Sequence, residues 1–254
     1  MGRAFEFRKA RKLKRWSTMA KTFTRIGKDI AVSVKEGGPN PESNSRLRAI
    51  IQNAKAANMP KENILRAIKN ASEKNTDNYK EITLEGYGPH GVAVMIDCTT
   101  DNNNRTVGNI RSYFNKADGN LGVNGSVEFM FTRYCLFKIT NNNIDLDNLE
   151  LELIDYGLEE IIMDESSNEI LIYGNYDSFG LIQREIEKRN IDIISSEFER
   201  IPNNYKDLND NQKNDLEKFL EICENDDDVQ KVYHNVKELW VFRDLSNRVF
   251  KICF

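Results

Sequence analysis

The sequence predicts an α+β fold of three domains: an N-terminal three-helix domain and two ferredoxin-like α/β domains, the third inserted in the second. Three observations carry this. Apolar residues recur at helical spacing in three stretches between Phe23 and Ala71, within the basic segment 1–76, and the pattern changes to strands from Tyr79. Residues 134 to 200 then read β-α-β-β-α-β, with a helix and a strand left over after them. Charge follows the same partition. Residues 1 to 74 hold 18 Lys and Arg against 6 Asp and Glu, a net +12, whereas the remaining 180 residues sum to -16, so the overall -4 conceals a bipolar chain. A length of 254 residues fits two or three compact units.

Three helices follow from apolar residues at helical spacing. The first presents Phe23, Ile26, Ile30 and Val34 on one face and Lys21, Arg25, Lys28 and Lys35 on the other, and stops at Gly37-Gly38-Pro39. The second starts near Ser43 as N-cap and lines up Leu47, Ile50, Ile51 and Ala54 opposite Arg48 and Lys55. Asn58-Met59-Pro60 ends it. Pro60 suits the first turn of the third, which turns Ile64, Leu65, Ile68 and Ala71 inward and Lys61, Arg66 and Lys69 outward.

Strands are expected at Lys80 to Tyr87 and Val92 to Cys98 around a Gly-Pro turn, then a helix near Arg105 to Lys116 and a strand near Ser126 to Thr132. The β-α-β-β-α-β run is Cys135 to Thr140, Leu146 to Tyr156, Glu159 to Asp164, Glu169 to Tyr173, Phe179 to Lys188 and Ile191 to Glu199. An acidic helix, Asn211 to Glu224, and a strand, Val229 to Asn235, return to complete the middle sheet. The domains expected are thus 1–76, 77–132 with 203–238, and the insertion 133–202. Residues 239–254 have ten apolar positions in sixteen, read as a tail packed on the body or on a partner subunit.

Composition excludes several classes. Cys98, Cys135, Cys223 and Cys253 show no paired spacing, and His90 and His234 are isolated, so neither a disulfide framework nor a metal site is expected. No stretch approaches 18 apolar residues, so no membrane partner is expected. Residues 2 to 18 are Arg-rich, as transit peptides are, but hold a single Ser, and the cytoplasm is the expected location. The histidines lack a nucleophile or carboxylate partner, so the chain reads as no enzyme, with no cofactor and no small-molecule substrate.

Gly86-Tyr87-Gly88-Pro89-His90-Gly91 fits a dinucleotide-binding string, but a strand rather than a helix follows it, so it reads as a tight turn. Asp101 to Thr106 sits where a strand meets a helix, with Asn103 or Asn104 as cap and Arg105 as a possible phosphate contact. Asp226-Asp227-Asp228 lacks calcium-loop spacing and reads as a solvated turn.

The strongest functional signal is the basic arm, in which Arg3, Arg8, Lys9, Arg11, Lys12, Lys14 and Arg15 interleave with Phe5, Phe7, Leu13 and Trp16. Cations neutralise phosphates and aromatic rings stack on unpaired bases. The charge continues on the helices, so Lys21, Arg25, Lys28, Arg46, Arg48, Lys55 and Lys69 join Arg105 as candidate nucleic-acid contacts. The arm is expected to be mobile until bound, and the helix cations to be rigid and able to select a groove shape. No zinc-finger, zipper or RRM signature is present, so backbone and shape contacts are expected.

Several strings occur together in order: Gly37-Gly38-Pro39-Asn40-Pro41, Asn58-Met59-Pro60, Glu85-Gly86-Tyr87-Gly88-Pro89, Thr100-Asp101-Asn102 with Asn104-Arg105-Thr106, Gly119-Asn120-Leu121-Gly122, and Asp228-Val229-Gln230 with Val232-Tyr233-His234-Asn235. Over residues 19 to 236 the chain resembles the YebC/PmpR family, which includes a mitochondrial translational activator of cytochrome c oxidase. The resemblance implies the three-domain arrangement and a probable DNA-binding transcriptional regulatory role. It implies as alternative a ribosome- or rRNA-associated translation factor that activates synthesis of difficult sequences. The usual Gly-His-Ser-Lys-Trp opening is here Gly2-Arg3-Ala4-Phe5-Glu6, so contacts attributed to it do not carry over. The expected partner is nucleic acid, DNA or the ribosome, with a possible protein partner on the acidic domains.

Overall fold

The apolar residues at helical spacing in the first segment lie on the buried side of α1 (Arg3–Gly37), where Ile26, Ile30 and Val34 enter a small core. The computed structural model describes residues 3–73, 78–164 and 166–237, with side chains from Thr18 onward. The side chains of Arg3 to Arg15 and the tail 239–254 therefore lie outside the described residues. The backbone of the arm is helical from Arg3 and continuous with α1, whereas the sequence read an arm separate from the first core-facing helix.

Gly38, with φ +83, ends α1 in the left-handed conformation that glycine adopts without strain, and its N–H reaches Val34 O at 2.8 Å. Asn44, not Ser43, caps α2 (Ser45–Ala56). Its buried amide accepts from Leu47 N at 2.9 Å and donates to Ser33 O and Gly38 O, so one side chain ties two helix ends together. A Cβ on Gly37 would sit 2.6 Å from that amide, so glycine is required for the close approach. Pro60 stands just outside α3 (Lys61–Ser72) as its N-cap rather than in its first turn. Leu47, Ala54, Met59, Ile64 and Ala71 complete the helical core. Leu65, read as inward-facing, is 55% exposed.

In the next unit, β1 (Lys80–Tyr87) and β2 (Ala93–Thr100) form an antiparallel hairpin pairing Lys80 with Thr100 and Tyr87 with Ala93. Its turn is a short 3-10 segment, Pro89–Gly91, with no helix behind it, and Gly91 stands at φ +71. α4 (Asn103–Lys116) follows, then a two-residue β3 (Asn120–Leu121) that pairs with β1. β8 (Val229–His234) returns to pair with β2, and the sheet order β3-β1-β2-β8 places the hairpin at its centre. α4 and α7 (Asp210–Glu224) cover one face over Val94, Ile96, Phe114 and Phe219, the two rings meeting edge to face at 4.9 Å. Ala93, Met95 and Tyr233 pack with Val127 and Phe131 on the other face. Burial on both faces explains why the first half of β2, Ala93 to Ile96, is an unbroken apolar run.

Of the expected strand at Ser126 to Thr132 only Phe131 and Thr132 are extended, as the start of the strand Phe131–Thr140, and the rest is a loop and a 3-10 turn, Glu128–Met130. The physical reason is Glu85. Its buried carboxylate accepts hydrogen bonds from the backbone N–H groups of Gly125 (2.9 Å), Val127 (3.0 Å) and Glu128 (3.0 Å), donors that a ladder would have needed.

β4 (Phe131–Thr140), α5 (Leu146–Ile154), β5 (Leu158–Asp164), β6 (Glu169–Asn175), α6 (Phe179–Lys188) and β7 (Ile193–Pro202) build the second sheet, ordered β5-β6-β4-β7 and antiparallel throughout. That is the ferredoxin order. α5 and α6 cover one face over Phe137, Ile139, Leu153, Ile172 and Ile186. This sheet lies in sequence between β3 and α7, and the chain re-enters the unit of β1, β2 and β8 through the bridge of Lys206 to Val236.

Candidate nucleic-acid interface

The helical unit rests on both sheets, and among its predicted contact residues with described side chains five, Lys21, Arg25, Lys28, Arg46 and Arg48, are spent on that docking. Asn53 of α2 pairs with the outer strand β7 as a strand would, donating to Ser196 O at 2.6 Å and accepting from Ser196 N at 2.8 Å. Arg48 reaches Glu187 of α6 at 3.0 Å and Pro41 O at 2.9 Å. Arg46 bonds Glu36 at 2.7 Å and also pairs with Glu81 of β1.

On α1, Lys21 donates to Asn225 Oδ1 and Arg25 donates to Glu224 O at 2.9 Å. Lys28 is 8% exposed, and its ammonium donates to Thr99 O (3.2 Å), Asp227 O (2.7 Å) and Asp228 Oδ1 (2.7 Å). These three side chains converge on the turn after α7. The buried carboxylate of Asp228 is the centre of the network. Besides Lys28 it accepts from Arg105 at 2.7 Å, Thr106 at 2.8 Å and Thr100 at 3.1 Å. Burial alone would raise its pKa, but the hydrogen bonds from Lys28, Arg105 and Thr106 prevail and hold the carboxyl at about 2.

Three readings are corrected here. The acidic run is a turn that is solvated only in part: Asp227 is exposed, whereas Asp228 is 4% exposed and fully partnered. Asn102, not Asn103 or Asn104, caps α4 by accepting from Arg105 N at 3.1 Å. Arg105 is bound to Asp101 at 2.6 Å as well as to Asp228, so the strand-to-helix junction already holds carboxylates where a phosphate was expected. The cleft beside it, about 520 Å³, is polar, and its charged lining has Asp101, Asp226, Asp227 and Asp228 against Lys28 and Arg105. Sequence reasoning missed Asp228 and Glu85 because nothing local distinguishes a buried carboxylate from a solvated one. The Thr100, Thr106 and Asp228 strings were visible as motifs without their mutual contact.

The remaining predicted cations point outward. Lys55 and Lys69 are exposed, and among the described residues no carboxylate lies within ion-pairing distance of either. Among the described residues no group of three or more His, Cys, Asp or Glu side chains is placed to hold a metal ion, and no helix is long and apolar enough to cross a membrane. Burial pushes the thiols of Cys135 and Cys223 up to about 12, so neither is an activated nucleophile. His90 lies 3.2 Å from Asp215 at the surface.

Asp29, half-buried on α1, is raised to about 7 by burial and by the charge of Glu81, against the opposing pull of Arg46, Lys231 and Arg25. The folded state thus holds a proton that the unfolded chain releases near pH 3.8. Stability from this group is present below about pH 4 and is lost as pH rises to about 7. Asp29→Asn is expected to raise stability at pH 7.5 by about 2 kcal/mol, roughly half the full value of a three-unit shift because solvent screens part of it. Denaturation midpoints at pH 5 and 7.5 check this. Equal pH dependence in both proteins refutes the assignment.

The fold and charge arrangement define a three-part α+β protein in which a basic helical unit is clamped onto two more acidic sheet units. Family models agree with that division: residues 3–74 match the TACO1/YebC protein N-terminal domain, and residues 79–236 match the TACO1/YebC second and third domain. The chain belongs to the TACO1/YebC family. A Flavobacterium johnsoniae protein named probable transcriptional regulatory protein is 64% identical over 238 residues, 94% of this chain and 100% of that one. One of the same name from Porphyromonas gingivalis is 52% identical, over 94% of this chain and 98% of its own length. The crystal structure of a conserved hypothetical protein from Aquifex aeolicus superposes with a TM-score of 0.72 at 35% identity, covering 85% of this chain and 89% of that one.

Proposed function

We propose that the chain is a non-catalytic, cytoplasmic regulator of gene expression that binds nucleic acid through the phosphate backbone, as a DNA-binding transcriptional regulator. The observation that carries this reading is the net +12 of residues 1 to 74 against -16 in the rest. The names of the relatives support the regulatory role. The contacts fall into two groups. Arg3, Arg8, Lys9, Arg11, Lys12, Lys14 and Arg15 stand on the part of α1 that precedes Lys21, about 27 Å of helix at 1.5 Å per residue. Lys55 and Lys69 add exposed charge on α2 and α3. Lys21, Arg25, Lys28, Arg46 and Arg48 hold the units together before any nucleic acid arrives, and Arg105 is paired within its own unit with Asp101 and Asp228. The alternative, a ribosome-associated translation factor, is favoured by the length of this basic helix with no base-reading motif, since structured RNA is recognised largely by shape.

Affinity for a 30-base-pair duplex at several salt concentrations tests the reading. With about five phosphates contacted, log K should fall against log salt with a slope of roughly -4 to -5. A slope near zero indicates a protein-interaction scaffold instead. Parallel titration of purified ribosomes separates the two regulatory readings, because preference for ribosomes at equal salt favours translation.

A further inference from the structure

Lys14, Lys21, Lys28 and Lys35 recur at seven-residue intervals along α1. A seven-residue repeat drifts only about 20° per step around a helix, so these positions form one stripe about 31 Å long. Arg25 lies beside it. The middle of the stripe is occupied by the turn after α7, and the chemistry of that occupation resembles a phosphate backbone. Lys21 donates to Asn225 Oδ1, Arg25 donates to the carbonyl of Glu224, and Lys28 donates to the carbonyl of Asp227 and the carboxylate of Asp228. Glu224 is the last residue of α7, where the helix dipole adds negative potential. Cations that would meet successive phosphates thus meet successive oxygens of the same chain. The same face cannot hold both.

We propose that the turn spanning residues 224–228 is a built-in competitor for nucleic acid: it masks Lys21, Arg25 and Lys28, and full engagement of α1 requires this turn to undock. This rests on the nucleic-acid reading above and adds its regulation. The arm makes the first contact, and the acidic turn sets how much charge binding must displace before the rest of the stripe is used. Loosely bound targets meet the arm alone. Targets with a long, regular phosphate array displace the turn and gain the remaining contacts.

Asp228→Asn in the full chain tests this, because it removes the negative charge and retains the shape. Duplex affinity at 0.1 M salt should rise about tenfold, and the salt slope should steepen by about 2, near the 0.9 per phosphate expected for two to three released cations. In Lys28→Met/Asp228→Asn the gain should largely disappear, which distinguishes unmasking from general loosening. A second measurement needs no variant. On adding duplex to the wild type, the amides of Thr99, Asp228 and Val229, which bond Asp228 O, Asp226 Oδ1 and Asp226 O, should exchange about tenfold faster. Unchanged exchange, or unchanged affinity and slope in Asp228→Asn beside a salt-dependent wild type, overturns the mask alone. Salt-independent binding by the wild type overturns both the mask and the nucleic-acid reading.

Discussion

Deletion of residues 2 to 15 is expected to lower affinity for duplex DNA, single strands and ribosomes alike by about a hundred- to thousandfold at 0.1 M salt. The deleted segment holds seven Lys and Arg. Each phosphate neutralised on a duplex contributes about 0.9 to the salt slope, which at 0.1 M is nearly a factor of ten relative to 1 M. Two or three of the seven in contact account for the loss. The slope itself should fall by about 2 to 3. The fold should survive, because the apolar residues of α1 that enter the helical core begin at Phe23 and Ile26. Circular dichroism and binding isotherms on the truncated protein check both halves of the expectation. If the deletion abolishes ribosome binding and leaves duplex binding intact, the arm is a ribosome-specific element and the translation reading takes precedence.

Glu85→Ala is expected to cost about 4 kcal/mol and to release the loop from Gly122 to Met130. The carboxylate is 5% exposed and accepts three backbone N–H groups, each a charge-assisted bond of roughly 1.5–3 kcal/mol. Part of that gain offsets the cost of burying the charge, so the sum is not the net value. Alanine leaves three donors without their acceptor. The loop keeps the buried Val127 and the bond from Gly122 N–H to Glu85 O at 2.7 Å as other anchors, while Phe129 is 72% exposed, so local release rather than global unfolding is expected. Glu85→Gln should cost about half as much, since one amide oxygen accepts two donors and its NH₂ group faces the third. A three-part protein need not unfold in one step, so exchange of the Gly125, Val127 and Glu128 amides is the appropriate measurement. Unaltered protection at these positions in Glu85→Ala shows that the loop is held by other contacts.

Much of the fold is legible from local pattern. The boundaries of β1 and α6 coincide with the expected ones, because Lys80 to Tyr87 is bounded by a Gly-Pro turn and Phe179 to Lys188 carries Ile182 and Ile186 on its buried face. The ferredoxin order of the second sheet follows from its element sequence, since β-α-β-β-α-β has few unknotted ways to close. Caps fared differently. Ser43 and Asn103 were as good as Asn44 and Asn102 by residue type, and only the position of the neighbouring helix end decided which side chain turned inward.

The sequence by itself determined the charge asymmetry, the three amphipathic helices, the strand order of the insertion and the family, because these reside in residue type and spacing along the chain. Tertiary structure alone decided which charges remain available. Lys28 and Lys55 are both lysines on the polar sides of amphipathic helices, yet one is buried against Asp228 while the other is exposed. The same holds for acids, where Asp228 and Glu85 organise their surroundings from buried positions. Partners some 200 residues apart in sequence, such as Lys28 and Asp228, meet only when the chain has closed. Whether a charge is solvated or paired depends on that closure, and the helical period carries no record of it.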